Sequence, residues 1–304
     1  MKKKTFTRAD RTGLMFASPW IIGFIIFGIY PIIASAYFSF CRYNIIRPAS
    51  FVGWENYQIL FFEDPLFWKS LWNTFYLTAF GLPFQIGMAL FAAILLNIKV
   101  KGQPLFRTMI FLPSVVPVVA TAILWVWLLN PEYGLINALF SYLNIRGPGW
   151  LTNARWSKPA LILVMMWSIG NSMIIFLASL QQVPKELYEA SIVDGANRWQ
   201  RFCNVTIPMI SPVIFFNIIM GILGSFQYFT HVYIMTTGIS VDYGGRAGGP
   251  EYSTLVYALY LYQNAFQFFR MGYASAMAWI LFIITGGIIF LLFKTQKWVY
   301  YEKQ

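Results

Sequence analysis

The chain has 304 residues, of which 58 % are hydrophobic and only 11 % charged. A soluble domain carries about 25 % charged residues, so the composition excludes an ordinary soluble fold and points to an integral membrane protein. The formal charge of +11 sits mostly in short segments between apolar runs, where it reads as a topology signal and no nucleic-acid partner is expected.

Lys2, Lys3, Lys4, Arg8 and Arg11 precede an apolar run over 14–33. Ala34-Ser35-Ala36 looks like a signal-peptidase site. The run is about 20 residues, longer than the 7–15 of a signal-peptide core, so it reads as an uncleaved first span. Six segments are long and apolar enough to cross a bilayer: 13–40, 72–97, 105–129, 159–181, 207–236 and 270–293. Pro31, Pro83, Pro113, Pro117, Pro212 and Gly221 interrupt them, as membrane helices tolerate where neighbours take up the freed backbone groups. The fold class expected is all-α and polytopic, with six transmembrane helices. The expected parts are 1–71 (tail, first span and first outer loop), 72–293 (transmembrane core with a loop at 183–206) and 294–304 (tail).

Lysine and arginine set the orientation. With the N-terminus inside, segments 1–12, 98–107, 182–206 and 294–304 hold 14 basic residues. The outer loops hold seven: Arg42, Arg47, Lys69, Arg146, Arg155, Lys158 and Arg246. Both termini are therefore expected in the cytoplasm. Trp298, Tyr300 and Tyr301 follow the last span, at lipid headgroup level. Cys41 and Cys203 fall on opposite sides, so no disulfide joins them. The outer stretch DYGGRAGGPEYS, 242–253, reads as a flexible loop facing a partner or water, with a ligand cradle as the alternative. No Gly-Lys pair occurs, so there is no phosphate-binding P-loop.

The chemistry within the spans is sparse. The one histidine is His231, and none of the 11 acids falls in the predicted hydrocarbon. Intramembrane carboxylates and histidines usually mark proton relays, so a proton-coupled transporter and an intramembrane hydrolase are disfavoured. HExxH, paired CxxC and GxSxG are absent, so no metal or catalytic site is expected. The polar residues inside the spans are neutral, among them Asn73, Thr74, Gln85, Ser168, Asn171, Ser172, Asn217, Ser225, Gln227, Tyr228 and Thr230. They suit a neutral polyhydroxylated solute, with Trp167, Phe226 and Tyr228 able to stack on sugar faces. Helix–helix glue is the alternative for each.

One segment is out of character. Residues 183–206 gather Lys185, Glu186, Glu189, Asp194, Arg198 and Arg201. A connector needs only 2–8 residues. Pro184 suits a helix start, 185–193 reads as a helix, and Asp194-Gly195 is a turn. A second short helix follows from Ala196, and Ile207-Pro208 opens the next span. The excess length makes this a docking element.

EASIVDGANRWQRFCNVTIPMISP, from Glu189 onward, resembles the EAA loop of the membrane subunits of binding-protein-dependent ABC importers. The matching residues are Glu189, Ala190, Asp194, Gly195, Ala196, Phe202 and Pro208; Ser191 and Ile207 depart where Ala and Leu are usual. SPWIIGFIIFGIYPIIASAYFSF, FVGWENYQILFFEDPLFWKSLWNTF, FRTMIFLPSVVPVVATAILW, GGPEYST and FQFFRMGYASAMAW are similar to the carbohydrate-importer branch, which contains the maltose transporter's permeases. The resemblance implies a non-enzymatic permease of the cell (inner) membrane, pairing with a second homologous permease. It implies an ATPase dimer that binds the ATP and Mg, an extracytoplasmic sugar-binding protein and a carbohydrate substrate, and no cofactor on this chain. It implies a coupling role for Leu187, Glu189, Ala190, Ser191, Asp194, Gly195, Ala196, Ile207 and Pro208. Leu187, Ala190 and Ile192 would be packed knobs, and Glu189 would bind its own turn or an ATPase arginine. It implies a solute path at Trp167, Ser168, Asn171 and Ser172 in the fourth span and Ser225, Gln227 and Tyr228 in the fifth. An oligosaccharide is expected over glycerol phosphate or another small polar solute. A stand-alone secondary transporter and a pore-less scaffold or receptor are the readings from other classes.

Overall fold

The computed structural model describes residues 8–98, 101–237 and 247–300. The N-terminal lysines, Lys99, the loop start with Arg246, and Tyr301 lie outside the described residues. The chain divides into two compact units, Met1–Asp64 with Leu261–Ile280, and Pro65–Tyr260 with Leu281–Gln304.

In the first unit, α1 (Thr12–Ser39) is 28 residues long, and no part of its most apolar window is buried within this chain. It is followed by a hairpin, β1 (Cys41–Asn44) and β2 (Arg47–Phe51), paired antiparallel. The all-α expectation omitted these strands. Tyr43, Ile45, Ile46 and Phe51 favour extended backbone, and the Arg47 N–H donates to Asn44 Oδ1 at 2.8 Å to close the turn. The loop after the hairpin is ordered as well. Asn56 Nδ2 donates to the carbonyls of Ser39 and Cys41 at 2.8 and 2.9 Å, and Arg42 pairs with Glu55.

The second unit opens with α2 (Pro65–Asn97), seven residues earlier than expected, because Pro65 is itself a good first helical residue. Next come α3 (Gln103–Val115) and α4 (Val118–Leu128), bent by 98° at their junction. After the short α5 (Leu135–Tyr142), α6 (Ala154–Trp167) and α7 (Gly170–Gln182) are bent by 50°. The short α8 (Lys185–Val193) leads to α9 (Arg198–Thr237), a 40-residue run. Two helices cross from one unit into the other, α10 (Tyr257–Tyr262) and α11 (Met271–Lys294). Among the described residues four helices are long and apolar enough to span a membrane, and six spans result if each bent pair counts as one.

Pro31, Pro83 and Pro208 do not break their helices. π turns at Ile25–Ile29, Leu77–Gly81 and Phe202–Thr206 each end two residues before a proline: Pro31, Pro83 and Pro208. A proline lacks the N–H for the carbonyl four residues back, and its ring clashes with that carbonyl. Widening the preceding turn moves the carbonyl aside and lets the helix continue.

Small residues let the spans of this unit approach. Ala89, Ala92 and Ala93 of α2 share one buried cluster with Met173, Phe176, Leu177 and Leu180 of α7 and Ile210 of α9. Gly221 of α9 lies so close to α2 that a Cβ there would meet Leu82 Cδ1 at 2.1 Å. Without a hydrophobic force between helices in lipid, such close packing is what holds membrane helices together. Cys41 is a buried free thiol and Cys203 an exposed one.

Candidate functional site

The segment after α7 folds as two capped elements. Pro184 sits just ahead of α8 with φ −58° and ψ 134°. At the other end Gly195 has φ +77°, Gly195 N–H donates to the Ile192 carbonyl at 3.0 Å, and Ala196 N–H donates to the Ser191 carbonyl at 2.9 Å. This is a Schellman cap, and its left-handed residue favours glycine. Asn197 and Gln200 then form a reciprocal capping box that starts α9. The second short helix expected from Ala196 is therefore no separate element. It begins at Arg198 and runs through the Phe202–Thr206 π turn into the long helix, with Ile207 and Pro208 inside it.

Tyr188 and Ser191 turn inward on α8. The Tyr188 hydroxyl shares a hydrogen bond with Thr206 Oγ1 at 2.9 Å, and Ser191 Oγ donates to the Tyr188 carbonyl at 2.7 Å. Leu187, Ala190 and Ile192 are exposed. Val193 at 87 % and Trp199 at 71 % are more exposed still. Glu189 and Asp194 are exposed, and Glu189 has no ion-pair partner among the described residues, so its own turn does not hold it. Sequence reasoning missed Tyr188, Thr206 and Val193. Helical spacing from Ser191 back to Tyr188 was the available signal.

The solute-path residues sit at two helix breaks. Trp167 ends α6, Ser168 lies in the bend, and Asn171 and Ser172 are in the first turn of α7. Ser225 lies near the end of the first stretch of α9, Ile207–Phe226, and Gln227 and Tyr228 lie in the gap before the helix resumes at Thr230–Thr237. A third break, between α3 and α4, joins them. A Cβ on Gly170 would meet Ser114 Oγ at 2.5 Å and Phe111 Cα at 2.9 Å, so the two bends touch backbone to backbone. Trp125 of α4 meets Trp167 edge-on at 5.6 Å, and Thr230–Thr237 packs along the same half-helix. Both expected patches thus border α4.

Three polar atoms here are buried with no hydrogen-bond partner among the described residues: Ser114 Oγ, Trp125 Nε1 and Tyr228 Oη. Buried polar groups are normally paired, so these three are available to a polar ligand. Ser225 differs, since its hydroxyl already donates to the Gly221 carbonyl at 2.7 Å. Tyr228 also stacks on His231, centroid to centroid 5.1 Å. Ser114 and Trp125 were absent from the expected path, although the Pro113–Pro117 pair marked their span as broken. Among the described residues no group of His, Cys, Asp and Glu could hold a metal ion.

A family model described as the binding-protein-dependent transport system inner membrane component matches residues 85–299. The chain belongs to this family. It is a multi-pass membrane component of a transport system, and the match takes in the three breaks and all of 183–206. The probable ABC transporter permease protein YesP of Bacillus subtilis (strain 168) is 42 % identical over 308 residues, covering 100 % of this chain and 97 % of the relative. The lactose transport system permease protein LacF of Rhizobium radiobacter is 36 % identical, covering 95 % of each. Among solved structures, a chain of a bacterial alginate ABC transporter, in complex with an alginate pentasaccharide-bound periplasmic protein, superposes with a TM-score of 0.80. That chain is 25 % identical, and the match covers 97 % of this chain and 98 % of that one. The family resemblance read from EASIVDGANRWQRF therefore holds over nearly the whole chain.

Proposed function

We propose that this chain is a permease subunit of an ATP-driven, binding-protein-dependent sugar importer. It forms half of the path, with a second homologous permease supplying the other half. ATP and Mg are bound by partner ATPase subunits, and a binding protein delivers the sugar. The lactose named for one relative and the alginate oligosaccharide named for the solved transporter support a sugar, and an oligosaccharide in particular. The unburied apolar window of α1 supports a partner permease beside it.

One observation carries the reading: the coupling segment and the solute path share one helix. Helix α9 starts at Arg198 inside the docking segment and reaches Gln227 at the break, about 43 Å away at 1.5 Å per residue. The Tyr188–Thr206 hydrogen bond ties α8 to the same helix. Closure of an ATPase on Leu187, Ala190 and Val193 would move α8, and α9 would carry that movement to Gln227 and Tyr228. Glu189, exposed and unpaired, suits an ATPase arginine. At the path, Ser168, Asn171, Ser172, Gln227 and the unpartnered atoms of Ser114, Trp125 and Tyr228 offer hydrogen bonds without charge, which suits a neutral sugar, and Trp167 offers a stacking face.

The test is reconstitution of this chain in liposomes with its partner permease, ATPase and binding protein. The expected result is uptake of a neutral oligosaccharide that requires ATP and the binding protein. Uptake by the chain without an ATPase would make it a secondary transporter, and uptake restricted to uronate oligosaccharides would overturn the neutral-solute assignment.

A further inference from the structure

The stretch 242–253 was expected to be a flexible loop facing a partner or water. Residues 242–246 lie outside the described residues, and the rest of the stretch is largely covered. Ala247, Gly248 and the run from Ser253 to Tyr257 are buried. Its backbone is strained: Glu251 and Tyr252 adopt φ +53° and +54° in succession, behind Gly249 at +69°. A Cβ on Gly249 would meet Thr254 Oγ1 at 2.4 Å. Left-handed backbone at two adjacent non-glycine residues persists only where surrounding contacts impose it.

Those contacts come chiefly from two neighbouring residues of α2. Asn73 Nδ2 donates to the Tyr252 and Leu255 carbonyls at 2.8 and 2.9 Å. Thr74 Oγ1 accepts the Tyr257 N–H at 2.9 Å and donates to the Ser70 carbonyl at 2.9 Å. Ser157 of α6 adds a 2.6 Å hydrogen bond to Ser253. Asn73 and Thr74 are 0 % and 1 % exposed. They lie about 12 Å along the helix from Pro65, at the start of the apolar run that begins near residue 72. Buried irregular backbone is tolerated only when the protein satisfies it. Burial also pushes the Tyr257 hydroxyl well above its usual range, so it stays neutral. Among the described residues of this loop, Glu251 is the exposed one.

We propose that Asn73 and Thr74 are positioning residues: they latch residues 248–257 onto α2 and so present the Glu251 carboxylate, at a fixed place, to a basic patch on the solute-carrying binding protein. The inference rests on the importer reading, under which this loop faces the side opposite the coupling segment. Asn73 makes both of its donations to loop carbonyls and Thr74 accepts a loop N–H, so both residues act on loop backbone and neither needs to touch the solute.

The test uses the complete reconstituted transporter and titrates the loaded binding protein. N73L fills a similar volume and removes both donations without burying a charge. T74V removes the acceptor, and T74S keeps it. E251Q removes the charge from an exposed side chain. Expected are half-saturating binding-protein concentrations raised about tenfold in T74V and E251Q, the effect of roughly one lost hydrogen bond, and by more in N73L, which loses two. The maximal rate should hold per assembled complex, and T74S should behave as the unaltered chain. Unchanged half-saturation in E251Q, or a loss of maximal rate alone in N73L and T74V, overturns the proposal. If the binding protein fails to stimulate even the unaltered transporter, the importer reading itself falls.

Discussion

Gly195 offers the sharpest test of the coupling segment. Its φ of +77° closes the cap of α8, through the Ala196 and Gly195 N–H groups on the Ser191 and Ile192 carbonyls. A residue with a Cβ loses roughly 1–2 kcal/mol in this conformation, and a β-branched one fares worst. No atom of this chain lies within 4 Å of where that Cβ would stand. Within the chain the cost is therefore backbone strain alone, which lowers the population of the formed cap by about 5–30-fold. The six spans contain no contact with this position, so Gly195→Val should insert and pair normally. Binding of the ATPase and sugar-stimulated hydrolysis should fall by that factor. Gly195→Asn, which tolerates left-handed backbone, should fall less. Co-purification of the ATPase and hydrolysis by the reconstituted complex measure both variants. A Gly195→Val chain that is assembled and transports at the normal rate would refute the role assigned to this turn.

Tyr188→Phe removes the 2.9 Å hydrogen bond to Thr206, worth about 1 kcal/mol; we expect normal assembly but less sugar moved per ATP hydrolysed, and an unchanged ratio would sever α8 from α9 as a mechanical pair. Asn171→Ala and Gln227→Ala should each weaken transport by about 1–3 kcal/mol of lost solute contact. Ser225→Ala should do less, because that hydroxyl is already bonded to Gly221. Equal effects at all three would remove the distinction. Cys203 is exposed while Cys41 is buried, so a membrane-impermeant maleimide reads one site. We expect no labelling from outside intact cells, and labelling would invert the proposed topology.

The spans and the docking segment were legible because their signals are local. An apolar run of about 20 residues has few alternatives in a chain with 11 % charge. The order Pro184, Gly195, Asn197 spells a helix start, a left-handed stop and a new cap. The hairpin at 41–51 was missed because its turn holds Ile45 and Ile46 in place of the usual glycine or asparagine pair. The burial of 247–257 was missed for a different reason. Its partners, Asn73, Thr74 and Ser157, lie 96 to 183 residues away in sequence, and GGPEYST carries no local mark of what will cover it. The same holds for Trp125, which becomes part of the candidate path only through its contact with Trp167.

The prolines show how far local reading can go once the physics is followed. A proline inside a helix leaves one carbonyl without its N–H, and at Pro31, Pro83 and Pro208 a single π turn before the proline absorbs that loss. Pro113 and Pro117 stand four residues apart, as do Pro208 and Pro212, but the second pair stays within one helix, where the Ser211 hydroxyl donates to the Pro208 carbonyl at 2.6 Å, a bond that Val116 has no group to make. In a helix the Pro113 carbonyl would need the N–H that Pro117 lacks, and the Pro117 ring would strike that carbonyl. The residue before a proline is also pushed out of the helical region, and Val116 is extended, with φ −67° and ψ 132°. The chain leaves the helix there and turns by 98°. That turn brings Ser114 against Gly170, and its hydroxyl has no partner among the described residues. The Pro113–Pro117 pair thus sets Ser114 at a bend, while α9 runs through Pro208 and Pro212 without a break as far as Phe226.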